Sequence, residues 1–174
     1  MKRFTAHVIC SSAGVELLRS VVELDENGMI TGIISLDNSS VEPAYTLFLD
    51  GIITPGIISI REFAEKGKKT PDLTNYHYLD LSDGEALPEV INTDLPLIID
   101  FGTSNLSRAN KIIEKFASSG FSIRQLVDAC IFHPAEALGI CVDVNVGNKT
   151  FLIRWQNVDV LSRKTTPLTR LEEL

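Results

Sequence analysis

The sequence is poor in the residue types that build disulfide frameworks and metal clusters. Its 174 residues include three cysteines, Cys10, Cys130 and Cys141, and three histidines. Because the cysteines are odd in number and form no Cys-x-x-Cys pair, they exclude a disulfide scaffold and a zinc knuckle. Reduced thiols of this kind are typical of cytoplasmic proteins.

Long apolar runs and basic blocks are also missing. The first ten residues, MKRFTAHVIC, alternate polar and apolar side chains, so we expect neither a signal peptide nor a membrane anchor and predict a cytoplasmic location. A formal net charge of −7 and a pI near 4.9 repel phosphate backbones and anionic lipids. The composition therefore predicts no nucleic-acid partner and no membrane partner.

What is present is a globular composition, 44% apolar and 22% charged, with strand patterns at both ends of the chain. Alternation and turn residues predict strands in the first part over residues 4–10, 16–24, 29–36, 45–49 and 52–54. Asn27-Gly28 predicts a hairpin turn, and Asp50-Gly51 is expected to separate the strands over 45–49 and 52–54. Beyond Gly139, strands are expected over residues 141–146, 151–155 and 158–161.

The middle of the chain has a different character. Residues 61–94 read as a loop with one short helix at 59–66, and residues 95–101 as a buried strand. Helical spacing from Leu106 ends at Gly120, and a Ser122/Gln125 capping box opens a second helix that reaches Gly139. We predict a mixed α/β fold: a small β-sandwich of residues 1–58 and 138–174, with residues 59–137 inserted as an αβ segment.

Several blocks of the sequence match in order and in character the motifs of one enzyme family. They are ENGMI at 26–30, DGIITPGIISIREF at 50–63, GTSNL at 102–106, IRQLVDACIFHPAEALG at 123–139, and GNKTFLI at 147–153. In these blocks the chain resembles the amidohydrolase superfamily of metal-dependent hydrolases, most closely its cytosine-deaminase-like and chlorohydrolase-like branch. The resemblance covers about the first sixty and the last seventy residues, and implies a composite β-sandwich attached to a TIM barrel.

The same resemblance implies that the chemistry has been lost. The family's His-x-His metal ligands fall on Arg61 and Phe63, and its metal-binding, proton-moving aspartate falls on Ser104. None of these three can supply the missing ligand or acid. Length agrees, because roughly 80 residues remain for the middle, whereas a complete (βα)₈ barrel needs about 250. We therefore expect only a remnant of the barrel, with no catalytic residue, no metal and no cofactor.

Other sites are weaker candidates. His7 and His133 read as surface or capping side chains, and His77 with Asp72, Asp80 and Asp83 is a possible but low-specificity metal site. Ser104 fits a helix cap better than a nucleophile. The segment Gly102, Thr103, Ser104 and Asn105 could hold a small anion at a helix N-terminus. The three cysteines read as core residues, and Trp155 as a core or interface aromatic.

Three functions remain open from the sequence. The leading hypothesis is a non-catalytic amidohydrolase-like binding or interaction module, with a homodimer as a possible assembly because a truncated barrel exposes apolar flanks. The first alternative is a metal-dependent hydrolase or deaminase acting on C–N bonds, with its site completed across a subunit interface. The second is a regulatory partner of a full-length amidohydrolase.

Overall fold

The computed structural model describes residues 1–37, 43–67, 70–83, 94–103, 105–149 and 151–174. Within these ranges the fold is mixed α/β, as predicted. The strands are β1 (Lys2–Ser12), β2 (Val15–Leu18), β3 (Ser20–Leu24), β4 (Ile30–Ser35), β5 (Leu47–Pro55), β6 (His77–Asp80), β7 (Leu97–Asp100), β8 (Leu152–Gln156) and β9 (Arg170–Glu173). The helices are α1 (Ile60–Glu65), α2 (Leu106–Ser118), α3 (Ile123–Val127) and α4 (His133–Leu138), with one π-helical turn, Asp128–Phe132, joining α3 to α4.

Both ends of the chain contribute to one large sheet. Its order is β4-β3-β1-β5-β8-β9, with β2 also paired to β1. Strands β1 and β5 run parallel, whereas the other pairings in this sheet are antiparallel. At the β4 edge the amide of Ile30 donates to the carbonyl of Asn148, and the amide of Gly147 donates back to Ile30. The sheet therefore curls until β4 meets the segment that precedes β8.

Apolar side chains cover both faces of this sheet. One face packs against α2, α3 and the π-helical turn through a core that includes Trp155, Phe101 and Phe116. The other face encloses a second core inside the curl, with Phe4, Ile53 and other buried residues. Because the first core contains residues from both the sheet and the middle segment, burial of apolar surface holds the two parts together.

A second, smaller sheet lies in the middle segment. Strands β6 and β7 are parallel and pair from His77–Leu97 to Asp80–Asp100. The residues Ile98 and Ile99 of β7 are fully buried. Because parallel strands end on the same side, the carboxyl ends of β6 and β7 lie side by side, close to the start of α1.

Several predicted elements are confirmed by the structure. Gly28 has a φ of +78° in the turn between β3 and β4, and Gly120 one of +86° directly after the end of α2. Both capping-box hydrogen bonds of Ser122 and Gln125 are present at α3. The short helix predicted at 59–66 is α1, capped by Ser59. None of the helices in the described ranges has the length and hydrophobicity needed to cross a lipid bilayer.

The prediction of two strands separated by Asp50-Gly51 is wrong, because a single strand, β5, runs through both residues. The register between β1 and β5 shifts at this point, between the pairs Ala6–Leu49 and Val8–Ile52. Gly51 takes a φ of +110°, so the glycine forms a bulge within a continuous strand. The predicted strand over residues 16–24 is likewise divided into β2 and β3 by Arg19, whose φ is +46°.

The strands predicted over 141–146 and 158–161 are also wrong, and two real strands, β6 and β9, were not predicted. Local side-chain hydrogen bonds replace the ladder in both segments. The side chain of Asn145 donates to Asp143, and Asp159 accepts from the amides of Leu161 and Ser162. Short polar side chains of this kind compete with strand pairing and favour turns.

The bulge at Gly51 generates a stability prediction. An alanine there would have to keep a left-handed φ, and its methyl group would overlap the carbonyl oxygen of Trp155. We expect Gly51→Ala to destabilise the fold by more than about 3 kcal/mol in urea unfolding. Gly28→Ala is the matched control, because its φ is also positive but the space around it is open; it should cost about 1 kcal/mol. Equal losses in the two variants would contradict the close approach.

Candidate functional site

Polar side chains converge where β6 and β7 end and α1 begins. We call the set Ser59, Arg61, Tyr78, Ser82 and Asp100 the strand-end cluster. Asp100 is the last residue of β7, and Ser59 is the N-cap of α1. Tyr78 lies on β6, and Ser82 follows its end. The carboxyl ends of parallel strands are where ligands usually bind in α/β folds, which makes this position the first candidate for a site.

Asp100 is at the centre of the cluster and is fully buried. Its Oδ1 accepts hydrogen bonds from the Ser59 hydroxyl at 2.8 Å and the Gly102 amide at 2.9 Å. Its Oδ2 accepts from the Arg61 amide and the Tyr78 hydroxyl, both at 2.8 Å. A carboxylate has about four acceptor positions, so these four donors occupy all of them.

The Arg61 side chain covers the outer side of the cluster. Its guanidinium donates from Nη1 to the Ser82 hydroxyl and from Nε to Glu65 at 3.2 Å, and it lies 3.6 Å from Asp83. On the other side, Arg108 of α2 donates to the carbonyls of Leu81 and Ser82. These contacts hold the turn after β6 between two helices.

A glycine permits the closest packing in the cluster. Gly102 has a φ of +70°, and a methyl group at this position would overlap the side chain of Ser82. The left-handed φ favours glycine independently of the packing. The turn after β7 therefore approaches the turn after β6 more closely than a side chain at position 102 would allow.

Ionisation in the cluster follows from burial and neighbouring groups. Burial, followed by the hydrogen bond to Asp100, raises the pKa of Tyr78 above its ordinary value of 10.0. Burial opposes ionisation of Asp80, but hydrogen bonds from Ser82 and the charge of Arg61 hold the pKa of Asp80 below its usual value. The hydrogen bond to Glu65 and the charge of Asp83 raise the pKa of Arg61.

The cluster contains an acid, a phenol, hydroxyls and a guanidinium, groups that enzymes use for proton transfer and substrate binding. Comparisons of the chain with protein-family models, curated proteins and solved structures find no significant match. What the cluster can do therefore follows from its geometry. Because both oxygens of Asp100 already accept two hydrogen bonds, neither offers a free lone pair to a metal ion or to a substrate proton.

The structure separates the positions that the sequence grouped together. The Arg61 side chain lies in the strand-end cluster, whereas Phe63 packs in a different apolar cluster with Ile98 and Leu138. Ser104 lies outside the described residues. The predicted anion segment is partly used within the chain, because the Gly102 amide donates to Asp100 and the Asn105 amide to Thr103. Asn105 itself caps α2 by accepting from the Ser107 amide at 2.8 Å.

The three histidines lie on three different elements, β1, β6 and α4. His77 begins β6, at the opposite end of that strand from Asp80, so its placement in an irregular loop was wrong. His7 is half-exposed against Phe48, and the His133 Nδ1 lies 2.7 Å from the Leu97 carbonyl. In the ranges that the structure covers, no group of three His, Cys, Asp or Glu side chains is positioned to share a metal ion.

Two of the three thiols and the tryptophan are core residues, as predicted. Cys10, Cys130 and Trp155 are buried, and burial raises the pKa of Cys10 to about 11. The indole of Trp155 donates to the Thr54 hydroxyl at 3.0 Å. Cys141 is exposed and outside any strand, so its assignment to the core was wrong.

Sequence reasoning did not identify Asp100, Tyr78 or Ser59 as site residues. One signal was available: Asp100 is a charged residue at the end of the apolar run Leu97–Asp100 and directly before Phe101 and Gly102. A carboxylate at the carboxyl end of a buried strand is a typical functional position. Tyr78 could not be found this way, because β6 itself was not predicted.

The saturated carboxylate gives a direct stability test. In Asp100→Asn, one acceptor oxygen becomes an NH₂ group that faces donors, so we expect a loss of about 3 kcal/mol in urea unfolding. Asp83→Asn is the matched control, since this carboxylate lies beside the same Arg61 but is 92% exposed; it should change stability by less than about 0.5 kcal/mol. A tolerated Asp100→Asn would contradict the four-donor arrangement.

Tyr78 gives a prediction for alkaline pH. The raised pKa means that the folded state keeps the phenol proton where the unfolded state loses it, so stability should fall as the pH rises above about 10. Tyr78→Phe should make that fall shallower between about pH 9 and pH 11. Part of the fall should remain, because burial and Glu136 raise the pKa of Tyr76 to about 12. Tyr45→Phe, at a phenol that is 97% exposed, is the control. If stability fell equally steeply with pH in Tyr78→Phe and in the unmodified protein, ionisation of Tyr78 would not be linked to unfolding.

Proposed function

We propose that this protein is a non-catalytic relative of the amidohydrolases that acts as a binding or interaction module. The observation that carries the proposal is the state of Asp100. This buried carboxylate accepts four hydrogen bonds from its own chain. A carboxylate with all its acceptor positions filled stabilises a fold but is not free to bind a metal ion or take a proton.

The neighbouring side chains support the same proposal. A guanidinium at position 61 remains charged and cannot donate a lone pair to a metal ion. Here it bonds to Ser82 and Glu65 and lies near Asp83. A phenylalanine at position 63 contributes an apolar ring to the packing around Ile98. Of the three positions that the resemblance assigns to family ligands, the two that the structure describes, 61 and 63, thus have structural roles.

The fold proposal is finer than the mixed α/β class. We propose that the curled sheet built from both chain ends corresponds to the composite β-sandwich of the family. In the same proposal, the parallel pair β6 and β7 with α2 corresponds to a remnant of the TIM barrel. Two features support it: β5 and β8 join the two chain ends in one sheet, and α2 follows directly after a buried parallel strand. The boundaries at residues 58 and 138 are part of this proposal.

The proposed partners are a second copy of the chain or a full-length amidohydrolase. Several large apolar side chains in the described part of the chain are exposed to solvent, and a partner that packed on them would remove their surface from water. Among the described residues, the most exposed of these side chains are Tyr45, Leu161 and Phe151. The proposal includes neither a cofactor nor a nucleic-acid or membrane partner.

Metal content tests the proposal against its enzymatic alternative. Protein purified without chelators should contain no stoichiometric zinc, iron or manganese by elemental analysis, because the positions of the family ligands cannot coordinate. One tightly bound ion per chain that is lost in His77→Ala but kept in His7→Ala would contradict the proposal. That result would favour a metal-dependent hydrolase or deaminase instead.

A further inference from the structure

A cavity of about 480 Å³ lies at the junction of α1 with the large sheet. It is bounded by the turn Gly56 to Ser59, by one side of α1, by residues 140 and 142, and by residues 149 and 151. A second cavity of about 250 Å³ adjoins it and shares the residues Gly56, Ile57 and Phe151. The volume of the first lies within the range of small-molecule sites, about 300–1,000 Å³.

The walls of the cavity are mainly apolar. Ile57, Phe63, Val142 and Phe151 contribute to them. Phe151 directly precedes β8, and the Gly56 amide donates to its carbonyl at 2.8 Å. The residue is nevertheless 71% exposed. A ligand that covers the exposed apolar surface of this residue removes that surface from water, which is favourable.

Positively charged side chains outnumber negatively charged ones among the described lining residues of the cavity. Lys66 and Lys149 line it, and Glu62 is the one carboxylate among its described lining residues. Glu62 already pairs with Lys66 at 2.5 Å. Lys149 also attracts Asp25, which accepts hydrogen bonds from the amides of Asn27 and Met29 and does not line the cavity. The cavity thus carries one net positive charge in a chain whose net charge is −7.

We infer that this cavity binds a small amphipathic carboxylate, with its apolar part on Phe151 and Ile57 and its carboxylate toward Lys149 and Lys66. Glu173 lines the adjoining cavity and disfavours a negative charge at that end, which sets the orientation of the ligand. The inference rests on the proposed binding function and names its ligand class. The site shares Ser59 with the strand-end cluster, whereas Asp100, Arg61, Tyr78 and Ser82 line neither cavity.

The test uses 4-phenylbutyrate as the probe and its uncharged amide as the matched ligand. Titration of ¹⁵N-labelled full-length protein should shift the amide resonances of Gly56, Val142 and Lys149 in a saturable way. The amide should bind about threefold more weakly, because it lacks the charge. Lys149→Gln should weaken binding of 4-phenylbutyrate about threefold and leave the affinity for its uncharged amide unchanged. Lys164→Gln is the control, because Lys164 is an exposed lysine that lines neither cavity, and it should leave both affinities unchanged.

The apolar contact is tested by Phe151→Ala, which should weaken both probes about tenfold. Leu161→Ala is its control, because Leu161 is 97% exposed and lines neither cavity. Equal affinity for acid and amide, shifts confined to other surfaces, or no shift at millimolar concentrations would each overturn the inference. The metal analysis decides the proposed function separately. If the protein contains no stoichiometric metal, any of these results would overturn the ligand inference and leave the proposed non-catalytic function unchanged. A tightly bound metal ion would overturn the proposed function whatever the titration shows.

Discussion

The middle of this structure depends on one buried carboxylate. Removing Asp100 from water is costly, and the cost is offset because its oxygens accept hydrogen bonds from two hydroxyls and two backbone amides. These donors come from the start of α1, from β6 and from the turn after β7, so one side chain joins three segments that are distant in sequence. If one of these segments moved away, its donor and the Asp100 oxygen would both lose their hydrogen-bond partner. The arrangement thereby fixes the small parallel sheet relative to α1.

The same saturation separates structure from chemistry in this region. Groups that could act in catalysis are close together at the strand ends, but they use their hydrogen bonds on one another. Gly102 and Ser82 pack so closely that little space remains between the two strand ends. Space for a ligand is found on the other side of α1, where the helix meets the large sheet and where lysines and apolar walls are combined. The proposed binding function therefore belongs to the junction between the two parts of the fold rather than to the strand ends.

Predictions from the sequence succeeded where the determinants were local and strong. The apolar stripe of α2, the capping box at Ser122 and the glycine turn at Gly28 are all set by neighbours within a few residues. They failed where alternation competed with local side-chain hydrogen bonds, as at Asp143 and Asp159, and where a strand of only four residues depended on its partner. Strand β6 is of the second kind, since its residues gain strand structure by pairing with β7.

The sequence by itself determined the mixed α/β class, the principal helices, most of the strands at the two ends of the chain, and the absence of metal-ligating side chains at positions 61 and 63. Only the tertiary structure decided that Arg61 and Phe63 lie in different clusters and that Asp50-Gly51 is a bulge within a strand. It also decided that Asp100 is a buried carboxylate that accepts four hydrogen bonds. Periodicity and capping are properties of short segments and can be read from the chain. The partners of a buried charge, and the shape of a cavity between a helix and a sheet, depend on contacts between segments far apart in sequence, which no local pattern encodes.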